Sequence, residues 1–247
     1  MTDATSTTEG QLAPFPEDWE RALAVVAHPD DLEFGSAGAI AAWTAAGKEV
    51  VYLLASRGEA GIDGMAPEEA RPVREAEQRD SAQIVGVKEV EFLDHRDGVI
   101  EYGLPLRRDI AAAIRRHRPD LVLTYNHRDL AWVNHRWNMP DHRNTGRAAL
   151  DAVADAANRW VFPELLEQGL EPWSGVRHVA IASSAQPTHA VDITATLDTA
   201  VASLEAHRVY LDGAGIGDVR GPITGFARQI GERFGGRPAA SFELLNR

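Results

Sequence analysis

Short apolar runs alternate with amphipathic stretches along the first half of the chain. The run RALAVVA, 21–27, has no polar position after Arg21, the pattern of a strand buried on both faces. An alanine-rich stretch at 35–46 reads as a helix closed by Gly47. EVVYLLA at 49–55 is a second strand, and the glycine-containing segment 56–65 is a loop. A helix is predicted over 67–85, with Pro72 in its tolerant early turns, and a short strand over 89–93. Leu106, Ile110 and Ile114 give the helix 104–117 one buried face, and DLVLTY at 120–125 is the fourth strand. Repeated β-α-β units with short connections predict an α/β fold, Rossmann-like, with three α/β/α layers and a mostly parallel sheet.

The second half is less regular. Residues 127–139 read as a long polar and aromatic loop, the kind that in compact domains is usually functional. A helix follows at 141–157 with Asp141 placed to cap it. Strands are expected at 177–183 and 189–193, helices at 196–210 and 224–233, and a glycine-rich connection at 213–221. The polar start, 1–20, reads as a flexible tail, which leaves 21–247 as a single domain.

Composition narrows the function classes. A net charge of −12 argues against nucleic acid and anionic membranes as partners. No run approaches the roughly 20 apolar residues of a membrane helix, and the first residues lack the pattern of a signal peptide. The chain has no cysteine, so disulfides are excluded and a metal would be held by His, Asp or Glu. That usage fits a cytoplasmic location. Lys48 and Lys88 are the only lysines, and with abundant alanine this bias suggests a bacterial, GC-rich source.

Chemistry concentrates where the first strand ends. His28, Pro29, Asp30 and Asp31 follow it directly, and in an open α/β sheet sites form beyond the carboxyl ends of the strands. The turn can aim His28 and Asp31 at one point, with Asp30 beside it. A helix cap with a surface histidine is the competing reading. PDH, 140–142, could bring His142 from a first helical turn as a third ligand. Two histidines and a carboxylate with an open position are a common catalytic zinc arrangement, and a free carboxylate nearby can act as base. The acidic and basic residues of 68–80 read as a solvated helix face with i,i+4 pairs. His127, Trp132, His135 and Trp137 read as a pocket wall or as pins for their loop.

AHPDDLE with a downstream PDH resembles the LmbE-like, or PIG-L, metal-dependent N-acetylglucosaminyl deacetylases. EVVYLLASRGEAG, RPDLVLTYN and VDIT with its following helix extend the likeness from about Arg21 to Tyr210. The resemblance implies the LmbE-like fold and removal of an N-acyl group, usually acetyl, from an amino sugar or related small molecule. It implies His28, Asp31 and His142 as ligands of Zn2+, with Fe2+, Mn2+ or Co2+ able to take the same donors. It implies Asp30 as general base, and Arg57 and Asp97 as substrate-binding residues, against a loop salt bridge and a turn residue as the plainer readings. Assemblies of identical chains belong to the same expectation. One position departs: where the family often has a histidine that helps stabilise the oxyanion, this chain has Met139, which can neither donate a hydrogen bond nor carry charge. His127, His135, Arg136 and His189 are the substitutes to examine. That departure keeps a second reading open, a catalytically weak metal-binding or regulatory protein of the same fold. A nucleotide-binding protein is disfavoured, because the turn after the first strand carries two carboxylates rather than a phosphate-binding glycine loop.

Overall fold

The computed structural model describes residues 10–131 and 136–246. Alternation of the side chains of β2 (Arg21–Val26) builds its core: Ala22, Ala24 and Val26 face one apolar layer, Leu23, Val25 and the following Ala27 the other. A strand covered on both faces has no polar side, which is why the sequence there is an unbroken apolar run. In chain order the other strands are β1 (Ala13–Pro14), β3 (Glu49–Leu54), β4 (Glu89–Phe92), β5 (Leu121–Tyr125), β6 (His178–Ala182), β7 (His189–Asp192) and β8 (Ala239–Asn246). Together they form one sheet in the order β1-β7-β8-β6-β5-β2-β3-β4. β8 is antiparallel to both neighbours and all other pairings are parallel.

Helices α3 (Leu104–His117) and α4 (Pro140–Ala157) cover one face through Leu106, Ile110, Ala149 and Val153. The other face carries α1 (Ala37–Ala45), the end of α2 (Pro67–Ile84), α6 (Leu197–Glu205) and α8 (Arg220–Gly231). The short helices α5 (Glu164–Glu167) and α7 (Arg208–Gly213) complete the order. No helix among the described residues is long and apolar enough to cross a membrane.

Three expectations change. Residues 10–20, assigned to a flexible tail, carry β1 and bury Leu12, Phe15 and Trp19; Trp43 packs against Phe15 at 5.1 Å and against Trp19 at 5.2 Å between ring centroids. The helix expected over 196–210 breaks into α6 and α7 around His207, which is fully buried. Finally, β8 was not foreseen. It inserts between β6 and β7, where Phe242 packs on Phe15 and Trp43.

Chain direction defines a crevice. From β2 the chain steps outward to β3 and β4, then returns to place β5 on the opposite side of β2. Ligands of open α/β sheets bind at the carboxyl ends of strands where the order reverses in this way. The segments after β2 and β5 meet there.

Candidate active site

The turn after β2 is held by backbone bonds to its own carboxylates. Asp31 Oδ2 accepts from the N–H groups of Ala27 at 3.0 Å and His28 at 2.9 Å. Its other oxygen, Oδ1, lies 2.9 Å from Nε2 of His142 on α4. His28 turns Nδ1 toward Asp31 Oδ2 at 3.8 Å, and the two imidazole centroids stand 5.2 Å apart. Donor atoms of His28, Asp31 and His142 all lie within 4.8 Å of one another, a group able to hold a metal ion.

The donor set fits such an ion. Each imidazole has one nitrogen facing Asp31 and the other anchored outside the cluster. His28 Nε2 lies 3.0 Å from Asp97 Oδ1 and 3.2 Å from Asp141 Oδ2, while His142 Nδ1 lies 3.2 Å from Asn138 Oδ1. Outer partners of this kind fix ring orientation at metal centres. Burial opposes a charge on His28, but Asp141, Asp31 and Asp97 outweigh it and hold its pKa well above the ordinary histidine value. Asp31 is also penalised by burial, yet His142 and His28 bring its pKa far below the usual carboxylate range.

Asp30 sits in the same turn with φ of 87°, a left-handed conformation that non-glycine residues rarely adopt. Its N–H donates to Gln78 Oε1 at 2.9 Å, and Arg74 Nη2 donates to its carboxylate at 3.2 Å and to Pro29 O at 2.7 Å. Burial pushes the Asp30 carboxyl up to about 6, with the Arg74 charge opposing and the Asp31 charge reinforcing. Arg74 itself stacks over the Tyr210 ring, 3.7 Å from its centroid, and its Nε and Nη1 have no hydrogen-bond partner among the described residues.

Arg74 corrects one expectation. The charged run of 68–80 is not simply a solvated face: Arg74, Glu77, Gln78 and Ser81 are buried, a polar stripe at helical spacing aimed at the HPDD turn. Gln78 and Ser81 donate to Glu33 Oε1 at 2.9 and 2.8 Å. Asp141 is a second correction. Met139 occupies the N-cap position and Asp141 lies inside the helix, fully buried, accepting from the N–H groups of Gly98 at 2.7 Å and Ile100 at 3.1 Å besides facing His28. Asn138, one turn before His142, was missed as its partner; Nδ2 is committed to the carbonyls of Asn126 and Arg128.

The remaining candidates separate. Asp97 lies at the cluster and accepts from Ala60 N at 2.7 Å. Arg57 is engaged by Glu75 at 2.7 Å and Asp94 at 3.0 Å, the loop salt bridge. Met139 is half exposed and lines a cavity together with Arg136 and His142. His127 packs against α4 at Gly146, and His189 lies on β7 edge-on to Phe15. Trp132 and His135 fall outside the described residues.

The α/β fold, the His/Asp cluster at its sheet crevice and the relatives that share the fold place the chain among the hydrolytic deacetylases. The chain belongs to the PIG-L family, GlcNAc-PI de-N-acetylase, whose pattern matches residues 23–153. It is 32% identical over 196 residues to the diacetylchitobiose deacetylase of Thermococcus kodakarensis, covering 78% of this chain and 71% of that one. The structure of N,N'-diacetylchitobiose deacetylase from Pyrococcus horikoshii superposes with a TM-score of 0.84 at 28% identity, covering 93% of this chain and 85% of that one. A hydratase shares the fold: 4-carboxy-2-hydroxymuconate hydratase from Pseudomonas putida aligns with a TM-score of 0.75 at 21% identity, over 92% of this chain and 97% of that one.

Proposed function

We propose that this deacetylase hydrolyses the N-acetyl group of an amino sugar, with a divalent metal held by His28, Asp31 and His142 and with Asp30 as general base. The observation that carries this reading is the buried Asp30 carboxylate in the same turn as a three-residue donor cluster. Imidazole and carboxylate together suit zinc, and Fe2+, Mn2+ or Co2+ could take the same donors. When bound, the ion supplies Lewis acidity, which acidifies water and offsets charge on the acyl oxygen.

The chain's own groups do the rest. Asp30 removes a proton from the attacking water and returns one to the departing amine. Arg74 keeps that carboxylate aimed while its charge limits the cost of burial. Asp97 and Asp141 hold His28, and Asn138 holds His142. Met139 offers no hydrogen bond to an oxyanion, and Arg136, which lines the same cavity, is a cationic side chain that could take that role. Arg57, paired with Glu75 and Asp94, has guanidinium hydrogens left over for a substrate. A cytoplasmic small-molecule enzyme that assembles from identical chains completes the reading; the cysteine-free composition supports the location.

Acetate release from a panel of N-acetylated sugars tests it. Activity should vanish with chelator and return on adding metal. Silence across the panel that chelator and metal do not change would favour the metal-binding or regulatory alternative, which rests on Met139.

A further inference from the structure

A cavity of about 590 Å3 adjoins the donor cluster and shares His142 with it. That volume is within the range of small-molecule sites and far exceeds what a two-carbon acetyl group fills. One helix, α8, contributes Ile223, Phe226, Ala227 and Ile230 to its wall, and Ile193 and Phe34 add to the same lining. Most polar groups on the wall already have partners. Asn138 is committed to Asn126, Arg128 and His142, Glu33 Oε1 to Gln78 and Ser81, and the Tyr125 hydroxyl to Ser183; Glu33 Oε2 is buried 3.9 Å from His207 Nε2. A hydroxyl-bearing sugar ring pushed against the α8 wall would lose its water and find no replacement there.

The same cavity bears exposed apolar side chains. Phe34, Trp137 and Met139 are 39%, 66% and 50% exposed, and all three line it. Large apolar residues gathered in the open around one cavity mark a surface that a ligand covers.

We propose that this cavity is a subsite for an apolar substituent of the substrate, an alkyl or aryl group carried by the amino sugar. The group reaches it either as a longer N-acyl chain or as an aglycone on the sugar. This inference rests on the deacetylase reading and names its substrate class. Met139 then has a use: at the mouth of an apolar subsite, a thioether contributes contact where a histidine would hold water.

Calorimetry on the full-length protein tests the proposal without turnover. The ligands are octyl and methyl 2-acetamido-2-deoxy-glucopyranoside, and N-octanoyl- and N-acetylglucosamine, all below micellar concentrations. Moving one methylene from water into hydrocarbon favours binding by about fourfold. At least one octyl ligand should therefore bind more than about tenfold tighter than its short counterpart, and which one does so identifies the source of the chain. Ala227→Phe, which fills the cavity, should abolish the gain. Ile223→Asn, at a partly exposed position on the same wall, should reduce it. Equal binding of long and short ligands overturns the proposal, as does a preference that survives both substitutions. If octyl ligands bind tightly and no N-acetyl substrate releases acetate, the subsite stands and the deacetylase reading falls. If the methyl glycoside is hydrolysed and the octyl ligands gain nothing, only the subsite falls.

Discussion

Arg74 donates to the Asp30 carboxylate across 3.2 Å, and both residues are buried. The guanidinium thus offsets a charge that would otherwise be stranded in the apolar interior, and it reaches from α2 to the turn after β2 to do so. Removing one partner of a buried pair leaves the other charge unpaired, which is the costly case.

Asp30→Asn should keep its metal and lose activity by roughly 10²–10⁴-fold, the usual contribution of a positioned acid/base group. Arg74→Ala should also keep its metal and lose at least about tenfold in kcat, since the carboxylate is no longer aimed. Metal analysis and acetate release on the same samples check both. Full activity in Asp30→Asn would remove that residue from the mechanism.

His28→Ala and His142→Ala should each lose bound metal. Asn138→Ala removes only the outer partner of His142, so metal affinity should fall by about 10–100-fold rather than disappear. Competition against a chelator of known affinity separates these outcomes, and unchanged metal content in either histidine variant would disprove its assignment as a ligand.

At Gly146, α4 passes close to the end of β5. A Cβ there would lie 2.6 Å from Tyr125 O and 3.0 Å from His127 Cβ. Gly146→Ala must push the helix away, and His142 sits one turn earlier on it. Destabilisation of about 1–3 kcal/mol is expected, visible as a lower denaturant midpoint, with weaker metal binding in the protein that remains folded. Wild-type values for both would show that the contact relaxes.

Much of this fold could be read from the chain because buried parallel strands are continuous apolar runs. β2, β3 and β5 declare themselves in that way. β8 does not: SFELLN mixes polar and apolar positions after a glycine-rich stretch, and its place between two distant strands has no local signature. The HPDD turn was legible as chemistry because unpaired carboxylates do not belong at the end of a buried strand. Its support was not, since Arg74 and Asp141 look like ordinary surface charges until their partners, remote in sequence, are known. Asn138 and Asp141 flank His142, so proximity to a candidate ligand was the available clue.

Acid should loosen the loop after β5. Arg128, in that loop, binds Glu243 of β8 through both oxygens at 2.7 Å, and Ser184 donates to the same carboxylate at 2.5 Å. Burial raises the Glu243 pKa, but Arg128 and Ser184 outweigh it and the net shift is downward. A carboxyl depressed in the folded state stabilises fully above its unfolded pKa, about 4.3, and that contribution disappears as pH falls through the folded value. The melting-temperature gap between wild type and Glu243→Gln should therefore shrink from about pH 6 to about pH 3. A gap independent of pH would mean that the pair contributes nothing through its charge.

The antiparallel insertion of β8 also sets an order of assembly. β6 and β7 leave the ribosome before the strand that must lie between them, and β1 is hydrogen-bonded to the sheet through β7. Strands β2 to β5, with α4 packed on them, can close during synthesis and bring His28, Asp31 and His142 together, whereas β1 and β7 must wait for β8. Ala239 and Ser241 of that strand also line the cavity beside His142. A nascent chain can therefore bring His28, Asp31 and His142 together before that wall of the cavity exists.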